Sequence, residues 1–245
     1  MWVIIVFFVV HWYSSLFLQS FFHHRYAAHS MFTMSKWMEK LFYIFSAIFQ
    51  GSSYISPYAY GAMHRMHHAH TDTKEDPHSP KFDGNVFKMM GRTRVRFNNI
   101  LLGKTKVDPK YLTNLPGWRW FDDFANSRLM RIGWIGFYIC FYIAFVPAGM
   151  WYLYLLVPIH CLMGPVHGAI INWFAHKYGY QNFKLDNTSK NLFPVDILML
   201  GESYHNNHHK HSGRANFGWR WFEIDPVYYS IKVMHWLRII KLRAV

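Results

Sequence analysis

Cysteine and acidic side chains are both scarce in this 245-residue sequence. The two cysteines, Cys140 and Cys161, lie in apolar segments and lack the spacing of a zinc or iron–sulfur site. The chain also has no Gly-rich dinucleotide-binding turn, no His-Pro-Gly-Gly haem element and no nucleic-acid-binding motif. We therefore expect neither thiolate metal chemistry nor a disulfide scaffold, and no nucleic-acid partner.

Negative charge is outweighed two to one, with 13 Asp and Glu against 26 Lys and Arg, for a formal net charge of +13. An excess of this sign suits nucleic acid, anionic lipid headgroups or an anionic substrate. Hydrophobic residues nevertheless make up 52% of the chain and are concentrated in blocks. The combination favours a protein that contacts membrane lipid or an anionic substrate.

Three apolar runs are long enough to cross a bilayer. Residues 2–22 would form a helix of about 31 Å, close to the thickness of the hydrocarbon core. A signal peptide is the alternative, but this run has no basic leading region and no small-residue cleavage site. Residues 132–147 and 150–172 predict a helical hairpin with a short turn. The sequence thus predicts one all-α integral membrane domain over residues 1–245, with about three transmembrane helices and further interfacial helices.

Two long basic stretches, residues 64–131 and 173–245, predict the cytoplasmic side by the positive-inside rule. The uncharged turn between the last two spans is then expected outside, as is the N-terminus. Residues 41–49 are apolar but too few to span, so this segment should lie along the interface or dip in and return. Residues 232–245 predict a basic amphipathic end on the membrane surface, or a plain solvated helix. We expect a protein of the bacterial inner membrane.

Histidine is unusually abundant, with 17 in the chain, and it is clustered. Two clusters have the H-x-x-H-H spacing, which places three imidazoles on one helix face. The third is a pair five residues apart, about 140° apart on a regular helix, so the pair must flank a metal or the helix must end between them. Imidazole suits iron, zinc and copper, and eight histidines exceed the needs of one ion. The clusters are His24 and His29; His64, His67 and His68; and His205, His208 and His209.

The remaining histidines are weaker candidates. A lone H-x-x-H-H can be a chance or nickel-binding patch, but three clusters beside apolar segments favour a metal centre. His70, His78 and His211 flank clusters and are expected at the surface. Three single histidines lie within apolar runs: His11, His160 and His167. A polar residue inside a membrane span is a functional candidate, but for a single histidine among aromatic residues a hydrogen-bonded structural role is favoured.

The set of motifs resembles the membrane fatty-acid desaturase family, in particular its stearoyl-CoA-desaturase-like branch. That branch has H-R-x-x-x-H, H-R-x-H-H, N-x-x-x-H and G-E-x-x-H-N-x-H-H elements. Here they begin at His24, His64, Asn172 and Gly201, and the resemblance covers roughly residues 10–225. It implies a cytoplasmic helical cap that holds two metal ions, with Asn172 holding a metal-bound water. The metal-binding histidines that it implies are His24, His29, His64, His67, His68, His176, His205, His208 and His209.

The resemblance also implies an activity. Two iron ions, which zinc can replace in purified protein, would use O2 to remove two hydrogens from a fatty-acyl chain, with double-bond formation of the delta-9 type. Hydroxylation by the same centre is the closest alternative. A metal transporter without redox chemistry would line a path through the membrane, and a paired-metal hydrolase would keep carboxylate ligands. Electrons would come from a separate donor, such as a ferredoxin or a cytochrome b5-type protein.

Two departures from the animal acyl-CoA desaturases bear on the substrate. Those enzymes have two spans ahead of the first histidine box, and this chain has room for one. They also carry an Arg-Asp pair, associated with the CoA headgroup, where this chain has Ala62 and Met63. Acyl-carrier-protein thioesters and intact lipids are therefore open as substrates beside acyl-CoA.

Overall fold

The protein is described here by a computed structural model that covers residues 1–243. The fold is mostly helical, as predicted. The α-helices are α1 (Trp2–Leu18), α2 (Lys36–Gln50), α3 (Pro57–His70), α4 (Val86–Leu101), α5 (Arg119–Ala125), α6 (Arg128–Phe145), α7 (Val157–Cys161), α8 (Met163–Ala169), α9 (His205–Lys210) and α10 (Pro226–Trp236). Two π-helical segments (Gln19–Ala28 and Ile170–Phe174) and four 3₁₀ turns (Gly51–Ser53, Pro80–Phe82, Pro109–Tyr111 and Trp151–Leu156) complete the helical structure.

Within residues 1–243, two continuous helices have the length and apolar composition of membrane spans, Trp2–Ala28 and Arg128–Phe145. The first has 27 residues, about 40 Å of helix, which exceeds the hydrocarbon thickness. Its C-terminal end carries His24, and His29 follows directly after it. On α6, Tyr138 and Tyr142 face the protein interior, while apolar side chains such as Ile143 are exposed.

The third predicted span, residues 150–172, is not a straight helix. It consists of Trp151–Cys161 and Met163–Phe174, which meet at a bend of 77°. The bend falls at Leu162, between Pro158 and the Gly164-Pro165 pair. Proline lacks an N–H for the helical ladder and disfavours a helical residue before it, so two prolines this close break the span.

The segment between the first two histidine clusters runs back along α1 as α2 and then returns as α3. Its expected course along or into the membrane interface stays a prediction. The contacts of Tyr26 with Glu39 and of Phe22 with Tyr43 show that α2 runs antiparallel to the first span. Ser35 and Ser56 begin α2 and α3 by accepting hydrogen bonds from Met38 N (3.2 Å) and Ala59 N (3.3 Å). Each such cap contributes about 1 kcal/mol. Helix α3 then packs on the first π-helical segment.

One departure from the predicted all-α class is a pair of short antiparallel strands, β1 (Phe32–Met34) and β2 (Ile240–Leu242). The pairing attaches the C-terminal segment to the chain just after the first histidine pair. Helix α10 and β2 occupy most of the predicted amphipathic end 232–245, whose last two residues lie outside the described part of the chain. The largest buried apolar cluster fills the space between these strands, α1, α2 and α10.

Candidate metal centre

His24 lies on the π-helical segment Gln19–Ala28, and His29 is the residue that follows its end. A π-helix closes hydrogen bonds between residues five apart, so such residues lie one above the other. His29 N donates to His24 O (3.1 Å), and the two imidazole centroids are 5.1 Å apart. Of the two arrangements expected from the sequence, the helix end between the histidines is confirmed, because the helix ends at Ala28. His24 reaches the site from the last helical turns, and His29 reaches it from the residue after the helix.

The other two clusters lie on α3 and α9, as their spacing predicted. Residues four apart face the same way on each helix. His64 Nε2 is 3.0 Å from His68 Nε2, and His205 Nε2 is 3.0 Å from His209 Nε2. The fourth contributor, His176, follows the second π-helical segment and lies 3.0 Å (Nε2 to Nε2) from His205.

The nine histidines form two groups, and within each the ligand nitrogens lie within 4.8 Å of one another. The H-x-x-H-H clusters are divided between the groups, because the residue at position i+3 faces differently from those at i and i+4. On α3 this separates His67 from His64 and His68. The five-histidine group contains His24, His29, His64, His68 and His208, and the four-histidine group contains His67, His176, His205 and His209.

Three imidazoles are oriented by hydrogen bonds at Nδ1. His24 Nδ1 is 2.6 Å from Glu202 Oε2, and His67 Nδ1 is 2.9 Å from Asp76 Oδ1. His176 Nδ1 is 3.0 Å from Thr188 Oγ1, whose hydroxyl donates to Asp72. An ionised carboxylate, or a hydroxyl that already donates its proton, can only accept here. Nδ1 therefore carries the hydrogen in all three rings, and Nε2 presents a lone pair to the site.

The contacts between these rings test whether metal ions fit. Among residues 1–243, every close contact within the two groups joins two Nε2 atoms, at 2.9–3.2 Å. Where Nδ1 already holds the hydrogen, as in His24, His67 and His176, Nε2 has a lone pair and no hydrogen to donate, which is the form that binds a cation. Two imidazoles at right angles about one ion, each bonded at about 2.1 Å, are about 3.0 Å apart. The donor set thus fits two transition-metal ions.

Electrostatics keep the ligands ready to bind metal. Burial, and in most cases nearby imidazoles, holds the pKa of the imidazole well below its usual value, so these rings are neutral at physiological pH, as metal binding requires. This applies to His29, His64, His67, His68, His205, His208 and His209. Burial alone would raise the pKa of Glu202, but His24 and the Arg25 guanidinium hold it at about 2.

Arg25 joins the first box to the last segment of the chain. Its side chain is fully buried, donates to Glu202 Oε1 (2.7 Å) and Asp225 Oδ2 (2.7 Å), and lies 3.7 Å over the Phe217 ring. Two carboxylates, a carbonyl and an aromatic face satisfy a charge that would otherwise be too costly to bury. Sequence reasoning assigned no role to Glu202, although it is the acidic residue of the G-E-x-x-H element.

Three further histidines that flank the clusters were predicted to lie at the surface, and the structure differs for one of them. His78, expected at the surface, is buried with its ring centroid 4.3 Å from that of His67, and it forms a third group with His67 and Asp76. His70 contacts the Tyr111 hydroxyl (3.1 Å), and His211 stacks on Trp219. Neither belongs to the five-histidine group or the four-histidine group.

Two of the histidines within the spans have the predicted hydrogen-bonded surroundings. His11 Nδ1 lies 2.5 Å from His160 Nδ1, and His160 Nε2 lies 2.9 Å from the Tyr142 hydroxyl. Asn172, on the second π-helical segment, is half-buried next to Gly168, four residues before His176. Its part in holding a metal-bound water stays a prediction.

Comparison with known proteins agrees with this geometry. Delta-9 acyl-lipid desaturase 2 from Arabidopsis thaliana is 32% identical over 225 residues, which are 86% of this chain and 64% of that protein. The sn-2 palmitoyl-lipid 9-desaturase of Nostoc sp. is 30% identical over 223 residues, 89% of this chain and 73% of that protein. This chain thus spans just under two thirds of the length of the first relative.

A sequence model of the fatty acid desaturase family matches residues 1–232, nearly the whole chain. The match covers all three histidine boxes and His176, the residues that the structure gathers into two groups. The chain therefore belongs to the fatty acid desaturase family.

Proposed function

We propose that this chain introduces a double bond into a fatty-acyl chain carried by a lipid, in an O2-dependent reaction at a di-iron centre. The observation that carries the proposal is the pair of buried groups, five and four imidazoles, whose Nε2 atoms converge in a chain of the fatty acid desaturase family. Side chains alone cannot remove hydrogen from an unactivated methylene, so the bound metal pair would supply the oxidising chemistry.

The side chains of this protein would hold the metal ions and orient the imidazole ligands. The nine histidines would bind the two ions, and Asn172 would hold a metal-bound water. Glu202, Asp76 and Thr188 keep Nδ1 protonated, so that Nε2 is directed inward. Deep burial of the rings restricts the access of water. Zinc can occupy the same ligands in purified protein, because imidazole accepts both metals.

The surroundings of the second box favour a lipid-linked substrate over acyl-CoA. Ala62 and Met63, which replace the Arg-Asp pair of animal acyl-CoA desaturases, are buried in an apolar cluster with Ile100 and Leu101. Side chains in that environment cannot bind a phosphate-rich headgroup. The relatives named above are called acyl-lipid and palmitoyl-lipid desaturases of the delta-9 or 9 type. We propose the same carrier class and the same bond for this chain.

Two further assignments belong to this proposal. Electrons would come from a separate protein, a ferredoxin or a cytochrome b5-type donor, for which the excess of Lys and Arg offers an acidic partner a docking surface. The metal centre would lie on the cytoplasmic face of a bacterial inner membrane, since the long basic stretches flank the histidine boxes.

The test is fatty-acid analysis by gas chromatography of cells that express this chain, with a donor protein supplied. His68→Ala removes a ligand of the five-histidine group, and His70→Ala is the matched control from the same helix but outside both groups. We expect a new unsaturated acid with the wild type and His70→Ala, but none with His68→Ala. Mass spectrometry of intact lipids would then identify the carrier. A hydroxy acid would reassign the chain as a hydroxylase, and no new acid with a functional donor would contradict the proposal.

A further inference from the structure

An apolar groove of about 510 Å³ lies between α1, α2 and the turn that follows α10. Its walls include Ser14 and Phe17 of α1, Phe42 and Phe49 of α2, and Ile239. None of the nine clustered histidines lines it, so it is separate from the metal centre. Its volume is in the range of sites that bind small molecules.

The groove is directed along the first span. Helix α2 runs antiparallel to α1, so Ser14 and Phe49 lie at one end of the groove and Met38 lies at the other. The α2 residues from Met38 to Phe49 cover about 16 Å. One end of the groove therefore opens near the level where the first span leaves the hydrocarbon core, and the other end reaches toward the bilayer interior.

The end near Met38 is basic. In the β1–β2 pair Met34 is opposite Ile240; Lys36 lies two residues after Met34, and Arg238 lies two residues before Ile240. Lys241 is opposite Thr33 on the same strand pair. Lys36, Arg238 and Lys241 are all exposed, whereas the nearby Glu39 is buried and already bonded to Tyr26 and Lys36. The charge available to a ligand at this end is positive.

Two exposed tryptophans lie near the end of the groove that contains Met38. Trp37, next to the groove residue Met38, is 69% exposed, and Trp236, two residues after Met234, is 80% exposed. Exposed indole rings are enriched at the headgroup level of membranes, where an amphipathic ring is most stable. The basic end of the groove therefore lies where lipid phosphates are found.

In the turn after α10, the charged side chain of Arg238 is exposed, and the apolar side chain of Ile239 lines the groove. Arg238 has a positive φ of 60°, which is uncommon for a residue with a side chain, and Ile239 N donates to Met234 O (2.9 Å). This tight turn brings Ile239 and Met234 together in the groove and leaves Arg238 exposed at its rim.

We propose that this groove binds one acyl chain of an anionic phospholipid, whose phosphate lies beside Arg238 and Lys241. The apolar walls, about 16 Å long on the α2 side, fit an alkyl chain, and the basic rim between two exposed tryptophans fits its headgroup. Binding at this groove does not depend on the metal ions or on turnover, so it is separable from the proposed desaturation.

Native mass spectrometry of the detergent-solubilised full chain tests the proposal, with equimolar phosphatidylglycerol and phosphatidylcholine as probes. We expect one retained phosphatidylglycerol and little retained phosphatidylcholine. Each basic residue near a lipid surface contributes about 1 kcal/mol, so Arg238→Ala with Lys241→Ala should weaken phosphatidylglycerol binding about thirtyfold. The control pair Lys104→Ala with Lys106→Ala, in an exposed loop, should not change it.

A second variant tests the groove itself. Ser14→Phe would fill the deep end without altering charge and should also abolish retention, whereas Ser14→Ala should not; unchanged metal content would show that each variant is folded. Equal retention of both lipids, or retention in Ser14→Phe, would overturn the proposal. So would a dimer that Ser14→Phe dissociates, because a second copy would then occupy the groove. A changed chain-length profile of products in Ser14→Phe with normal lipid retention would assign the groove to substrate instead.

Discussion

The Glu202 carboxylate lies between His24 and Arg25, with Oε2 2.6 Å from His24 Nδ1 and Oε1 2.7 Å from Arg25 Nη1. One carboxylate thus orients a metal-site imidazole and neutralises a buried guanidinium. A glutamine of the same shape could accept only one of these two hydrogen bonds and would leave the guanidinium without this counter-charge, because both partners donate hydrogen to Glu202.

Glu202→Gln should lower the metal affinity of the five-histidine group by about 10- to 100-fold, the usual cost of removing a partner that orients a ligand. Metal content measured by plasma mass spectrometry after graded chelation should then show one ion lost early. Glu39→Gln changes a similarly buried carboxylate that contacts Tyr26 and Lys36 but no clustered histidine, and should leave metal retention unchanged. Identical retention in both variants would contradict this role for Glu202.

Asp76→Asn should affect the other group. Asp76 orients His67, a member of the four-histidine group, and also accepts hydrogen bonds from the backbone of Asp72 and His78. We expect the variant to retain one ion per chain under conditions where the wild type retains two. The neighbouring Glu75→Gln, at an exposed position, is the matched control. Loss of both ions at the same chelator concentration would show that the two groups do not bind independently.

Asp122 should make stability depend on pH. Burial raises its pKa to about 6, although the Tyr54 hydroxyl donates to it at 2.8 Å. Because the folded chain holds this proton more tightly than the unfolded chain, the stabilisation is complete below about pH 4 and is lost as pH rises through about 6. The loss is about 3 kcal/mol.

Thermal melts of detergent-solubilised protein between pH 4 and pH 8 measure this effect. Asp122→Asn cannot ionise, so its melting temperature relative to wild type should rise with pH across this range. Asp123→Asn, at the exposed adjacent position paired with Arg119, gives the background of ordinary surface carboxylates. A constant difference between Asp122→Asn and wild type would rule out the shifted titration.

Gly51 joins the end of α2 to a 3₁₀ turn and has a positive φ of 54°. A Cβ built at this position would collide with the Tyr138 hydroxyl on α6. Gly51→Ala combines backbone strain with this collision and should cost at least about 2 kcal/mol, or several degrees in melting temperature. Gly136→Ala, on α6 with open space around it, should not destabilise the protein. Equal melting temperatures would show that Tyr138 moves aside without cost.

Residue types and spacing predicted much of this molecule, namely its helical class, its candidate spans and the clusters of histidine. Spacing at i, i+3 and i+4 was informative because α3 and α9 are regular helices. For the His24–His29 pair a helix end was foreseen, but the π-helical form of the last turns was not, and it changes which residues share a face. The five-residue spacing was itself the available signal, since it equals the hydrogen-bond step of a π-helix.

The division into groups of five and four could not be read from the sequence. It depends on how α9 docks against α3, which places His208 beside His68 and His209 beside His67. The burial of His78 and the pairing of His24 with Glu202 likewise arise from residues that are far apart in the chain or held by a loop. The flanking prolines were a local signal for the break at Leu162. The prediction of one span over residues 150–172 rested on their apolar character instead.

The division of the H-x-x-H-H clusters also bears on how the chain matures. His24 and His208 are 184 residues apart, and His67 and His209 are 142 apart, so an ion in either group cross-links distant parts of the polypeptide. Closing loops of this length restricts the unfolded chain strongly, and no isolated segment can supply a complete ligand set. Metal retention therefore reports assembly: a newly made chain that has not brought α9 back against α3 lacks His208 in the five-histidine group and two of the four ligands in the other group.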